Sequence, residues 1–114
     1  MENAQVALDS TSNIPIVKVA GEIDIATVPL LVEHLDSIPA GVPQVIIDFS
    51  ELTFIDSSGL NALVAFQKRL DDGANPCTVH LVASRPSILK VLEVTGLDEV
   101  FPTSATIEQA AKSA

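Results

Sequence analysis

Four residues, Asp56-Ser57-Ser58-Gly59, lie between two strongly apolar stretches of the chain. The stretch before them is β-branched and the stretch after them has helical spacing, so they are expected where a strand ends and a helix begins. Asp56 or Ser57 can cap that helix by accepting a hydrogen bond from a backbone N–H two or three residues further on. Ordinary helix capping is therefore one complete interpretation of this motif.

The same position suits a serine that is modified. Backbone N–H groups and the helix dipole favour negative charge at a helix N-terminus, so a phosphate on such a serine leaves the fold intact. It would add roughly −1.5 to −2 charges beside Asp56 and change the surface that a partner meets. Gly59 is a poor helix former, costing about 1 kcal/mol relative to alanine, which predicts a close approach there by another backbone or molecule.

The elements around this motif indicate an α/β fold. An opening hairpin is followed by alternating strands and helices, and that alternation predicts a mainly parallel sheet with helical crossovers. We expect a four- to five-stranded mixed sheet with about four α-helices, in the order β-β-α-β-α-β-α-(β)-α. The predicted strands are 6–9, 14–19, 44–49 and 78–83, with a brief extended segment at 100–101; the predicted helices are 26–37, 57–70, 86–94 and 104 or 106 to 112.

The length and the net charge of the chain limit its number of domains and its kinds of binding partner. The 114 residues, 47% of them hydrophobic, suit one domain spanning 1–114 with a buried core, and we expect a monomer. Fifteen acidic and six basic residues give a net charge of −9, the wrong sign for binding nucleic acid or an anionic membrane surface. A basic surface on a partner protein would complement this charge.

The cysteine content, the first residues and the apolar runs of the chain indicate its cellular compartment. Its one cysteine, Cys77, cannot form an intrachain disulfide, and the first residues lack the pattern of a secretory signal. No apolar run reaches the roughly 20 residues that span a bilayer. We therefore expect a cytoplasmic protein.

Two motifs resemble those of the anti-anti-sigma factors of the STAS superfamily: Gly21-Glu22-Ile23-Asp24, and Asp56-Ser57-Ser58-Gly59-Leu60 preceded by V-I-I-D-F. The resemblance covers nearly the whole chain, including element order and the spacing of the motifs. It implies the STAS fold and a bacterial, non-enzymatic regulator of transcription. Such a regulator binds an anti-sigma factor that is also a serine kinase with a histidine-kinase-like ATP fold.

In the family that this chain resembles, the unphosphorylated form captures the kinase and frees a sigma factor. Phosphorylation of the second serine of D-S-S-G releases the capture, and a serine phosphatase resets the switch. ATP and ADP are carried by the kinase, so the resemblance implies no cofactor on this chain. It makes Ser58 the phosphorylated residue. It places the partner-binding residues in two segments, namely Asp24 and Thr27 on the loop that opens the first helix, and Asp56, Ser57, Gly59 and Leu60 around the serine.

Two alternatives remain open, and a third is unsupported. A STAS domain can instead serve as the regulatory subunit of a transporter or lipid-transport complex, binding its partner constitutively, and fold alone does not separate the two roles. A phospho-aspartate receiver would use Asp48 at a strand end with a bound Mg²⁺. A hydrolase is unsupported, because neither serine has the glycine two residues earlier that a nucleophile elbow requires, and His34 and His80 are expected to be packing or surface residues.

Overall fold

The fold is built on a five-stranded mixed sheet with the strand order β1-β2-β3-β4-β5. The computed structural model describes residues 3–11, 13–39, 41–73 and 76–112. The strands are β1 (Ala4–Asp9), β2 (Ile16–Ile23), β3 (Gln44–Ile55), β4 (Thr78–Val82) and β5 (Thr103–Ser104). The helices are α1 (Val28–Asp36), α2 (Ser57–Asp71), α3 (Pro86–Val94), α4 (Leu97–Val100) and α5 (Ile107–Lys112).

The sheet has the topology that the sequence predicts. β1 is antiparallel to β2, and β2 through β5 are parallel to one another. Because successive side chains of a strand point to opposite faces, Val45, Ile47 and Phe49 enter the main core, whereas Ile46 lies in a smaller cluster with Ala110 of α5. The sheet is thus covered on both faces, as parallel sheets generally are.

β3 is longer than predicted and ends at Ile55. Two register shifts against β2 interrupt the alternation of its side chains, so the second half of the strand has no simple period of two. Near the first shift, the Asp48 carboxylate accepts hydrogen bonds from the Ser50 backbone N–H at 2.9 Å and from its hydroxyl at 2.5 Å. Asp48 therefore lies within β3 and stabilises an irregularity of that strand.

This placement argues against the receiver hypothesis, which needs Asp48 at a strand end beside other acidic groups. Across the described ranges, no cluster of three or more His, Cys, Asp or Glu side chains is arranged to hold a metal ion. The segment that follows α3 also differs from the prediction. Residues 97–100 are helical, because Gly96 adopts a left-handed conformation at φ +76° and Asp98 and Glu99 suit a helix N-terminus; the last strand is β5.

None of the helices in the described parts of the chain has the length and apolar character needed to cross a membrane.

Candidate functional site

The two motifs meet at the carboxyl ends of β2 and β3. These adjacent parallel strands pair Ile23 with Ile55 in register. The Asp56 backbone N–H, the first after β3, donates to the Ile23 carbonyl at 3.1 Å. The loop that follows β2 and the start of α2 are therefore held side by side at one end of the sheet.

Asp56 is the N-cap of α2. Its backbone is extended, at φ −104° and ψ −172°, and its Oδ1 atom accepts a hydrogen bond from the Ser58 backbone N–H at 3.0 Å. The Ser58 hydroxyl donates to the same oxygen at 2.5 Å. This hydroxyl bond lowers the pKa of Asp56 below its ordinary value, and the backbone N–H groups of Ser58 and Gly59 act in the same direction. Asp56 is therefore an ionised cap at neutral pH.

The predicted phosphorylation site is at the surface. Ser57 is exposed and Ser58 is half-buried, in the first turn of a 15-residue helix. A phosphate on Ser58 Oγ would replace the hydrogen bond to Asp56 and would lie at the positive end of the helix dipole. The local geometry can therefore accommodate a phosphoserine while placing it next to a fixed carboxylate.

A compact turn, residues 24–27, lies beside this serine. The Asp24 carboxylate accepts hydrogen bonds from the backbone N–H groups of Ala26 at 2.9 Å and Thr27 at 3.1 Å. The Thr27 hydroxyl donates to the Glu22 carbonyl at 2.9 Å and accepts from the Asp24 N–H at 2.9 Å. The side chains of the turn thus bond to its own backbone, and they fix its shape.

Two residues predicted to contact a partner are buried in the free chain. Thr27 is only 7% exposed, and its hydroxyl bonds the backbone of the turn. Gly59 is also buried. A Cβ atom there would lie 2.6 Å from Ile55 Cγ1 and 2.8 Å from Ile23 Cγ2. The close approach expected at Gly59 is thus made by core side chains, and Leu60 is half-buried against the same core.

Gly59→Ala tests this packing. We expect a net destabilisation of about 1 kcal/mol, because overpacking costs roughly 1–3 kcal/mol and the better helix propensity of alanine offsets up to about 1 kcal/mol of that. The free energy of unfolding from urea titration measures the change. A more stable variant would show that Ile23 and Ile55 yield freely and that glycine is not required here.

The two histidines make structural contacts. His34 Nδ1 lies 2.9 Å from the Leu30 carbonyl of its own helix. His80 is buried, its Nε2 lies 2.8 Å from the Ser104 hydroxyl, and burial lowers the pKa of its imidazole. These polar contacts of the two imidazole rings thus lie away from the Asp56-Ser57-Ser58-Gly59 motif.

Two exposed apolar side chains flank the motif and were missed by the sequence analysis. Ile25, in the turn after β2, is 78% exposed, and Phe54, near the end of β3, is 47% exposed. Ile25 had a detectable signal, since it is an aliphatic residue between Asp24 and Ala26 in a segment predicted to start a helix. Phe54 had none, because the predicted strand stopped before it.

A sequence model of the STAS domain matches residues 5–110 of this chain. The chain belongs to the STAS domain family. It is 31% identical over 86 residues to an anti-sigma-B factor antagonist of Staphylococcus aureus, covering 75% of this chain and 78% of that protein.

Two solved structures share this fold. An anti-sigma factor antagonist from Mycobacterium paratuberculosis superposes with a TM-score of 0.85 at 29% identity, over 96% of this chain and 92% of that one. The Bacillus cell fate determinant SpoIIAA, in its phosphorylated form, superposes with a TM-score of 0.69 at 22% identity, over 96% and 98% of the two chains. At that identity, the second likeness concerns the fold alone.

Proposed function

We propose that this STAS domain is an anti-sigma factor antagonist that works by partner switching. In its unphosphorylated form it binds an anti-sigma factor serine kinase and so frees a sigma factor. Phosphorylation of Ser58 then releases the kinase. The observation that carries this proposal is the position of the Ser58 hydroxyl. It lies in the first turn of α2, with the ionised carboxylate of Asp56 beside it.

Two further observations support it. The named relatives at 29% and 31% identity are both anti-sigma factor antagonists. The net charge of −9, with Glu22, Asp24 and Asp56 at the carboxyl ends of β2 and β3, suits a partner with a basic docking surface.

The chemistry requires a second protein. The kinase would bind ATP and transfer its γ-phosphoryl group to Ser58 Oγ; the new O–P bond replaces the bond to ADP, and the hydroxyl proton passes to a base of the kinase. A serine phosphatase would return the hydroxyl by hydrolysis of that ester. This chain contributes the acceptor oxygen, a rigid helix end to present it, and the neighbouring charge of Asp56.

The experiment mixes the purified chain with an anti-sigma serine kinase of the same organism, with and without ATP. We expect one phosphate per chain, located on Ser58 by mass spectrometry, and loss of the complex in size-exclusion chromatography as the phosphate is added. Ser58→Ala should stay bound when ATP is present. Phosphate on the adjacent Ser57, or a complex that survives full phosphorylation of Ser58, would contradict the proposal.

Ser57→Ala is the matched control, because Ser57 is exposed and lies next to Ser58 in the same helical turn. This variant should be phosphorylated and released like the wild type. A wild-type chain that neither binds the kinase nor accepts phosphate from it would instead favour the transporter-subunit alternative.

A further inference from the structure

Ile25 is an exposed residue of a turn whose shape is restrained by hydrogen bonds. Its side chain is 78% exposed, more than any other large hydrophobic side chain in the described ranges. Exposing a single aliphatic side chain is common, so exposure alone assigns no role. What distinguishes Ile25 is the support on either side of it.

That support consists of Asp24 and Thr27. The Asp24 carboxylate bonds the N–H groups of residues 26 and 27, and the buried Thr27 hydroxyl bonds the carbonyl of Glu22 and the N–H of Asp24. The Val28 N–H closes the turn on the Asp24 carbonyl at 2.8 Å. A side chain displayed on such a preformed turn loses little backbone freedom when it is buried by a partner.

The turn is also fixed relative to Ser58. Ile25 follows Ile23 by two residues, and the Ile23 carbonyl accepts the hydrogen bond of Asp56, the residue that caps α2 and bonds Ser58. Phe54 adds a half-exposed aromatic ring on the neighbouring strand, in register with Glu22. An apolar tip, an aromatic ring and the phosphorylatable serine thus share one end of the sheet.

We propose that Ile25 is the apolar anchor by which this chain docks on the anti-sigma kinase, and this inference rests on the proposed function. The occupant of this surface is then a hydrophobic pocket of the kinase with a basic rim. The pocket takes Ile25, and the rim complements the neighbouring acids Glu22, Asp24 and Asp56. Ile25 determines affinity for the kinase before any phosphate is transferred.

The test compares Ile25→Ser with Val94→Ser in the full chain. Val94 is 71% exposed and ends α3, which starts after β4 and runs back toward the amino ends of the strands. Both substitutions remove an exposed β-branched aliphatic residue and should leave the melting temperature near that of the wild type. Affinity for the kinase, without ATP, is measured by isothermal titration calorimetry.

We expect Ile25→Ser to weaken the complex roughly 10- to 100-fold, the effect of leaving one large aliphatic side chain out of an interface, while Val94→Ser binds like the wild type. Equal affinity of Ile25→Ser and the wild type would overturn the anchor and leave the proposed function standing. Equal weakening of the complex by both variants would also overturn the role of Ile25 as an anchor. A kinase that does not bind the wild type at all would remove both proposals.

Analytical ultracentrifugation of each variant without kinase tests whether a second copy of this chain covers Ile25. We expect the same mass for the wild type and Ile25→Ser. A wild-type dimer that Ile25→Ser converts to monomer, with unchanged affinity for the kinase, would show that a second copy of this chain covers Ile25 and would overturn the proposal.

Discussion

Phosphorylation of Ser58 is expected to weaken the complex with the anti-sigma kinase by a factor of roughly 100 to 1,000. The free protein tolerates the phosphate, because water screens it from Asp56 and the start of α2 favours negative charge. In a complex the same two groups are taken out of water. For unit charges about 4 Å apart, repulsion rises from about 1 kcal/mol in water to about 4 kcal/mol at an effective dielectric constant of 20. This larger repulsion in the complex opposes binding.

A double-mutant cycle separates this charge effect from simple steric exclusion. Asp56→Asn removes the charge and keeps a good N-cap, since asparagine caps helices as well as aspartate does. Affinity for the kinase is measured for the wild type and Asp56→Asn, each with and without phosphate on Ser58. We expect phosphorylation to cost the Asp56→Asn variant at least tenfold less than it costs the wild type.

The same loss in both backgrounds would contradict the electrostatic account and leave steric exclusion as the cause of release. Ser58→Asp should show a smaller loss than the phosphoserine, because a carboxylate carries one charge and a phosphate carries between one and two. A Ser58→Asp variant that binds as tightly as Ser58→Ala would argue against any charge-dependent release.

Local sequence patterns were sufficient to predict the position of the serine and the order of the elements, except for the short helix α4. The boundary at Asp56 is encoded within a few residues, by an apolar strand, a capping carboxylate and a helical period, and the structure confirms Asp56 as the cap. The parallel sheet follows from strands that alternate with helices. Features encoded over such short spans can be predicted from one sequence.

Features that depend on distant contacts were not predictable. The second half of β3 is paired through two register shifts, which hide its alternation. Thr27 looked like a surface residue of a loop, but its burial depends on how α1 packs against the sheet. Gly59 packs against Ile55, which is close in sequence, and against Ile23, which lies on another strand. In each case, at least one deciding neighbour is far away in sequence.

Gly21 shows the same dependence, and Gly21→Ala is expected to destabilise the fold by about 3 kcal/mol. Gly21 has a φ of +85°, and a Cβ atom there would lie 1.8 Å from the Asn3 carbonyl oxygen. That oxygen accepts a hydrogen bond from the Glu22 N–H at 2.8 Å. Alanine adds backbone strain of roughly 1–3 kcal/mol and must also push the start of β1 away, which breaks this bond at a cost of about 1 kcal/mol.

Gly41→Ala is the control that isolates the clash, because Gly41 has a similar φ of +94° and its Cβ position has nothing within 4 Å among the described residues. Both variants carry the strain of a positive φ, but Gly21→Ala alone displaces β1. We expect its melting temperature to fall by roughly 10 °C or more, and that of Gly41→Ala by about half as much or less. Amide hydrogen exchange at Glu22 should accelerate in Gly21→Ala only, since the edge strand opens there first. Equal destabilisation of the two variants would mean that positive φ is the whole requirement and that the close approach of the Asn3 carbonyl to Gly21 contributes nothing.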